Sequence, residues 1–224
     1  MAAFHPSFEA LPEAIPVFPL PGALLLPRGR LPLNIFEPRY LNMVEDALGA
    51  GRMFGMIQPE PGAKRGETGP GLYRVGCLGR LSSFAETEDG RFLITLTGVI
   101  RFRVAEELAM GRLYRRVRPD YAPYREDLDL ASEPRGIDRA GLLAALRPYF
   151  QARGIEANWE AVEQSPDGML VTTLAMLCPF EPREKQALLE AATPADRAAM
   201  LVTLLQMGAH AGPHANPPPG QRPS

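Results

Sequence analysis

Residues 15–40 read IPVFPLPGALLLPRGRLPLNIFEPRY, three apolar runs broken by prolines. Proline has no N–H to give to a sheet ladder. The first two runs, 15–20 and 23–26, punctuated by Pro16, Pro19, Pro21 and Pro27, are therefore predicted to be edge strands or bulged strands. The third, 31–36, leads into Glu37-Pro38-Arg39-Tyr40, where Pro38 suits the first turn of a helix because its missing N–H would be unpaired there anyway. With Glu37 as cap, its carboxylate meets the positive end of the helix dipole, and Phe36 and Leu41 take the two positions of a hydrophobic staple. Strand is expected to become helix within one turn.

The helix that follows carries Tyr40, Leu41, Val44, Ala47 and Leu48 at helical spacing, and Gly49 and Gly51 supply a stop. A short apolar strand at 53–57 precedes the polar, glycine-rich stretch 59–71, long enough to be a mobile loop. The next block is β in character. Tyr73, Val75, Cys77, Gly79 and Leu81 share one parity, as do Phe92, Ile94 and Leu96, and Glu88-Asp89-Gly90 supplies a turn between them. Gly98 permits a bend or bulge, after which Ile100, Phe102 and Val104 alternate with Arg101 and Arg103. Residues 113–121 offer one more strand. About six or seven strands with one helix tend to close into a small barrel, which removes exposed edges.

From 122 to 136 the pattern dissolves into an acidic segment with two prolines, the expected boundary. Beyond it helices are marked by Leu142, Leu146, Tyr149 and Phe150; by Trp159 and Val162; by Leu170, Leu174 and Leu177 after Ser165-Pro166; and by Leu188 and Leu189 after Glu181-Pro182. Thr193-Pro194-Ala195-Asp196 opens a last helix, expected to run to about Met207 and stop at Gly208. The resulting plan has a mobile lead-in at 1–14, a β-barrel subdomain at 15–121, a linker at 122–136, a helical bundle subdomain at 137–208 and a disordered proline-rich tail at 209–224. The fold class is α+β.

F-P-L at 18–20, P-x-x-x-x-P-L-x-I-F-E-P-R-Y at 27–40 and G-R at 51–52 together resemble the N-terminal substrate-binding domain of Lon proteases. The resemblance continues in G-x-x-R-F-R-V at 98–104 and in E-K-Q-A-L-L-E at 184–190, followed by Arg197. It covers most of 15–207, with irregular agreement between about 120 and 168. It implies a PUA-like β-barrel of the Lon N-terminal type and recognition of polypeptide. Lon proteases join this domain to an ATPase and a peptidase module. Neither motif set is in the sequence, so a stand-alone, non-catalytic form is expected.

The search for chemistry is mostly negative. Residues 62–68, GAKRGET, lack the spacing of a phosphate loop. A Ser/Lys dyad needs a desolvated lysine, and the only lysines are Lys64 in the polar loop and Lys185 on a predicted charged helix face. His5, His210 and His214 lie in the predicted mobile ends, and the adjacent acids look solvated, so no catalytic site, metal or cofactor is expected. Cys77 and Cys178, without metal-type spacing, read as buried free thiols. The sequence lacks a basic leader and any apolar stretch of roughly 20 residues. A cytoplasmic protein with no membrane partner is the expectation.

Two polar features invite binding. Arg101, Arg103, Arg112, Arg115, Arg116 and Arg118 form a stripe that would suit phosphates, since PUA-like barrels include RNA-binding modules. The formal net charge of -2 and the lack of interleaved aromatics make nucleic acid the lesser reading. The other feature is Phe36, Glu37, Arg39 and Tyr40, which either brace the strand-to-helix junction or line a peptide groove flanked by the 59–71 loop. An unfolded or extended polypeptide, or a protein partner, is therefore the leading partner class. Nothing in the sequence fixes the oligomeric state.

Overall fold

The structure, a computed structural model, describes residues 5–64, 66, 68–110 and 112–210. Six strands form one mixed sheet: β1 Ile15–Pro19, β2 Arg30–Ile35, β3 Met53–Ile57, β4 Val75–Glu86, β5 Phe92–Leu108 and β6 Arg115–Asp120. Their order is β2-β5-β4-β3-β1-β6, and a further β5–β6 pairing returns the far end of the sheet to β5. β1 and β3 run parallel, and the other pairs are antiparallel. The length of β5 permits this return: Phe92–Thr97 serve β2, while Arg103–Leu108 serve β6. The break comes where Gly98 faces Gly79 and Ile100 faces Leu78, leaving Val99 without a cross-strand partner. A bulge at Gly98 bends the strand there, as its position predicts.

Every strand of this circuit contributes to a compact cluster: Ile15 and Val17, Ile57, Leu78, Ile100 and Phe102, and Val117. A larger cluster lies outside it. It joins Leu24, Leu25, Leu26 and Ile35 and helix α1 (Pro38–Gly49) to the buried faces of the C-terminal helices, α2 Arg139–Arg153, α4 Asp167–Leu177, α5 Pro182–Glu190 and α6 Pro194–His210. Helix α3 (Trp159–Gln164) stacks its tryptophan against Phe150, with ring centroids 5.8 Å apart. The helices thus share one continuous core with the sheet.

Several expectations change. β1 is an interior strand with a neighbour on each side, although it contains Pro16 and Pro19. The paired span is short, and Pro19 sits at its very end, where a missing donor costs least. Residues 23–26 form no strand; Leu24, Leu25 and Leu26 are buried in the larger core cluster. Within 59–71, Glu60 N–H donates to Gly71 O at 2.9 Å and Gly66 bridges Gly69.

The lead-in also packs. A 3-10 turn, Phe8–Ala10, precedes the buried Leu11, and the Tyr121 hydroxyl donates to Pro12 O. The acidic 122–136 segment opens with a second 3-10 turn, Ala122–Leu128, which lies against β5 and supplies Asp127. Sequence reads that segment as a linker because its anchors are polar and its apolar spacing is irregular.

At the other end α6 continues through Gly208 to His210. Gly208 is present for packing: a Cβ there would fall 2.5 Å from Tyr149 Cε2, so the glycine lets α6 lie close against α2. Ala209 and His210 of the predicted tail thus belong to α6, and 211–224, with His214, fall outside the described residues.

Phe36 is the clearest local correction. As a staple it would be buried, yet it is 62% exposed, because the inward position at the end of β2 belongs to Ile35. Phe36→Ala is accordingly expected to change unfolding free energy in urea by no more than about 0.5 kcal/mol, as for an ordinary surface site. A loss of several kcal/mol would put the ring back in the core.

Candidate functional site

Beside the N-terminus of α1 lies a groove of about 490 Å³. Its lining comes from β1 and the following turn (Phe18 to Pro21), from Glu37, Arg39 and Tyr40, from Thr68 to Pro70 of the 59–71 loop, and from the β5–β6 hairpin. The geometry begins with Pro38, which starts α1 and leaves Glu37 in the extended cap position. The Glu37 side chain makes no cap hydrogen bond. It accepts instead from Arg39 Nε at 3.0 Å and Nη2 at 2.8 Å, and the Arg39 guanidinium sits 4.6 Å from the centre of the Tyr40 ring. Tyr40 in turn meets Phe18, ring centroids 4.2 Å apart. Burial raises the Tyr40 hydroxyl above its ordinary value, so it stays neutral in ordinary buffers.

The opposite wall is held from two sides. Tyr114 donates to Asp46 of α1 at 2.7 Å, and Arg112 pairs with the same carboxylate, which ties the hairpin to the helix. Burial, reinforced by the Asp46 bond, pushes the Tyr114 hydroxyl up to about 12. Arg115 is buried and donates to Pro70 O and to Glu107, both at 2.6 Å, fixing the loop to β6. Between these braces Met110 and Leu113 remain 41% and 73% exposed, and Leu113 has φ 67°. Left-handed backbone in a leucine is strained, and strain of this kind is kept where the surroundings enforce it.

Of the four residues singled out at the junction, Glu37, Arg39 and Tyr40 come together in this groove; Phe36 lies outside its lining, with Arg91 at 6.0 Å from its ring. Met110, Leu113 and Tyr114 escape sequence reasoning, since a hairpin tip has no periodicity to mark it.

The arginine stripe does not form one face. Arg101 is buried, donating to both Asp127 oxygens at 2.9 Å and to the carbonyls of Leu189 and Ala191. Arg115 shares the inward parity of Val117 and is buried too, while Arg116 is half-buried and Arg118 pairs with Glu106 at 2.5 Å. Arg103 is exposed, and Arg112 is held by Asp46. No continuous phosphate-binding surface results.

Lys185 also departs from expectation. It is buried, its Nζ donating to Gly22 O at 2.9 Å and Met176 O at 3.3 Å, and burial lowers its pKa. Its spacing of three and four residues to Leu188 and Leu189 is the signal that places it on the inner face. Its bonded partners are backbone carbonyls, so it clamps α5 to the end of α4 and to the turn before Ala23. Cys77 and Cys178 are buried free thiols, as expected, and burial pushes Cys178 up to about 12. Among the described residues no group of three or more His, Cys, Asp or Glu side chains is placed to hold a metal. None of the described helices is long and apolar enough to cross a membrane.

The groove therefore joins an aromatic floor, exposed aliphatic side chains and one ion pair at its rim. Among the described residues its lining holds no histidine, cysteine, serine or lysine. A sequence model of the ATP-dependent protease La (LON) substrate-binding domain matches residues 14–207. The chain belongs to that family. The Lon protease of Desulfosudis oleivorans is 28% identical over 96 residues, which are 42% of this chain and 12% of that one. Lon protease 2 of Myxococcus xanthus is 25% identical over 202 residues, 88% of this chain and 24% of its own length. The chain thus spans about a quarter or less of these Lon relatives. Two solved structures share its fold. A Lon N-terminal domain protein from Xanthomonas campestris superposes with a TM-score of 0.61 at 22% identity, covering 85% of this chain and 97% of that one. The N-terminal domain of Mycobacterium avium complex Lon protease gives 0.59 at 14% identity, covering 86% and 97%.

Proposed function

We propose that the groove beside α1 receives an extended, apolar segment of polypeptide, and that the protein acts as a non-catalytic recognition module for unfolded clients or a protein partner. The observation that carries this reading is the pair Met110 and Leu113. Both are aliphatic and exposed, and both line the groove with the Phe18–Tyr40 aromatic pair. Covering these side chains would remove apolar surface from water, and the Glu37–Arg39 pair at the rim offers a donor and an acceptor for backbone groups of the occupant. Membership of the Lon substrate-binding family supports the same reading, which we extend to an adaptor role in protein quality control.

The test is fluorescence anisotropy with a labelled, apolar-rich unfolded-protein peptide across a salt series. Wild type is expected to bind with little salt dependence, because apolar burial releases few counterions. The double variant Met110→Asp, Leu113→Asp is expected to bind about tenfold or more weakly, the scale of losing interface anchors. Both side chains are exposed enough to leave folding intact. Unchanged affinity in the double variant would remove the groove from the account. A labelled single-stranded RNA that binds with a steep salt slope, in place of the peptide, would transfer the function to nucleic acid.

A further inference from the structure

One wall of the groove beside α1 is short of hydrogen-bond donors of its own. It is built from Pro19, Leu20 and Pro21 with Pro59, and proline carries no N–H. Counting Gly22, which ends the lip, only Leu20 and Gly22 have a backbone donor. Both are spent at the end of β3: Leu20 N–H donates to Ile57 O at 3.1 Å, and Gly22 N–H donates to the side-chain Oε1 of Gln58 at 3.0 Å. The lip itself is a turn closed by Ala23 N–H to Leu20 O at 3.4 Å, with Pro21 at its second position and Gly22 at its third, φ 72°. One side chain therefore sets how far that turn stands from Pro59.

Gln58 is 2% exposed, and both of its amide N–H groups are used. Its Nε2 donates to Pro182 O at 3.0 Å and to Gln186 Oε1 at 3.2 Å, from residues one turn apart on α5. A carbonyl can only accept, so Pro182 fixes which end of the amide is nitrogen and leaves the oxygen to Gly22. Gln186, also buried, passes the connection on, its own Nε2 donating to Val75 O at the start of β4 and to Glu190. The carbonyl of Gly22 is held from α5 as well, by Lys185 Nζ at 2.9 Å. An apolar side chain of the same volume would fill this space without the cost of burying an amide. What the amide adds is a fixed separation between the lip, the end of β3 and α5. Gln58 is not among the lining residues, so it acts on an occupant only through its neighbours.

We propose that Gln58 is a positioning residue for the groove: anchored on α5, it holds the 19–22 turn and Pro59 at the separation that an extended apolar segment needs. This rests on the peptide reading of the groove.

Anisotropy with the labelled apolar-rich peptide tests it on the full chain, with affinity and binding-competent fraction read separately. Gln58→Met keeps the volume and removes the bonds to Gly22, Pro182 and Gln186. Its Kd is expected to rise about tenfold, the scale of a buried polar group left unsatisfied, with the number of sites per folded chain unchanged. A residue that served stability alone would do the reverse, lowering the competent fraction at constant Kd. Asp127→Ala supplies that comparison: it breaks a buried ion pair outside the groove lining, and its Kd is expected to match wild type. Gly22→Ala is the arm that spares the core. A Cβ there meets nothing within 4 Å, yet φ 72° disfavours alanine, so the turn shifts and Kd is expected to rise about threefold or more. Wild-type affinity in Gln58→Met, wild-type affinity in Gly22→Ala where Gln58→Met does not fold, or an equal rise in Asp127→Ala overturns the inference. A wild-type chain that binds no peptide overturns the peptide reading with it, whereas binding that falls in Met110→Asp, Leu113→Asp but not in Gln58→Met overturns this inference alone.

Discussion

Asp127→Ala is expected to lower the unfolding free energy by about 3–5 kcal/mol, the range for breaking a buried ion pair from one side. The carboxylate accepts from the Arg101 guanidinium at two positions and also from Arg101 N–H at 3.0 Å, and the two side chains are only 11% and 6% exposed. Removing it strands a charge and a backbone donor together, beside a second buried arginine. Urea denaturation monitored by circular dichroism reads the loss, with the slope checked to confirm that cooperativity is kept. The double variant Arg101→Leu, Asp127→Leu should recover part of it, since neither charge then remains to be solvated. A single-variant loss below about 1 kcal/mol, the scale of a surface site, would show that the pair is not what fastens the 122–128 turn to the sheet.

Gly98→Ala is expected to cost about 3 kcal/mol, the upper end for overpacking. Gly98 donates to Gly29 O at 2.8 Å and accepts from Arg28 N–H at 2.9 Å, so the chain before β2 lies directly on it. A methyl group there would collide with the carbonyl oxygen of Leu26 and reach Pro27 Cα at 3.2 Å. No rotamer relieves a clash with backbone. For a chain of this size the loss corresponds to a drop of about 6–12 °C in Tm. Gly49→Ala in α1 is the control: a Cβ there meets nothing within 4 Å, so Tm should hold or rise slightly. A Gly98→Ala protein that melts with the wild type would mean that the buried 23–28 segment is free to move away from β5.

Much of this fold is legible in the sequence because apolar periodicity is the imprint of burial. The hairpin of β4 and β5, the helix opened by Pro38 and the C-terminal helices all follow from it, as does the bulge at Gly98. What escapes is polar and nonlocal. Asp127 sits in a stretch that looks like a linker, and its importance depends on Arg101, which parity alone would put on an outer face. Lys185 and Arg197 carry charge that reads as solvent-facing, although their spacing to Leu188 and Leu201 assigns them to inner faces. At the groove, Glu37, Arg39 and Tyr40 are visible because a proline announces the helix they begin. Met110 and Leu113 belong to a turn whose partner surface comes from residues far away in the chain.

The position of β1 bears on how the protein emerges from synthesis. β1 is the first strand made, yet it lies between β3 and β6, and the segment pairing with its second edge ends only at Asp120. Closing so long a loop adds little to the equilibrium cost, which grows only with the logarithm of length, but it delays the pairing. Until then a nascent chain presents the open side of an apolar strand, the surface on which neighbouring chains aggregate. Pro19 suits that interval: Leu20 N–H points to Ile57 of β3, so the N–H that Pro19 lacks would have faced the side still waiting for β6, and it is withheld from any stray partner there.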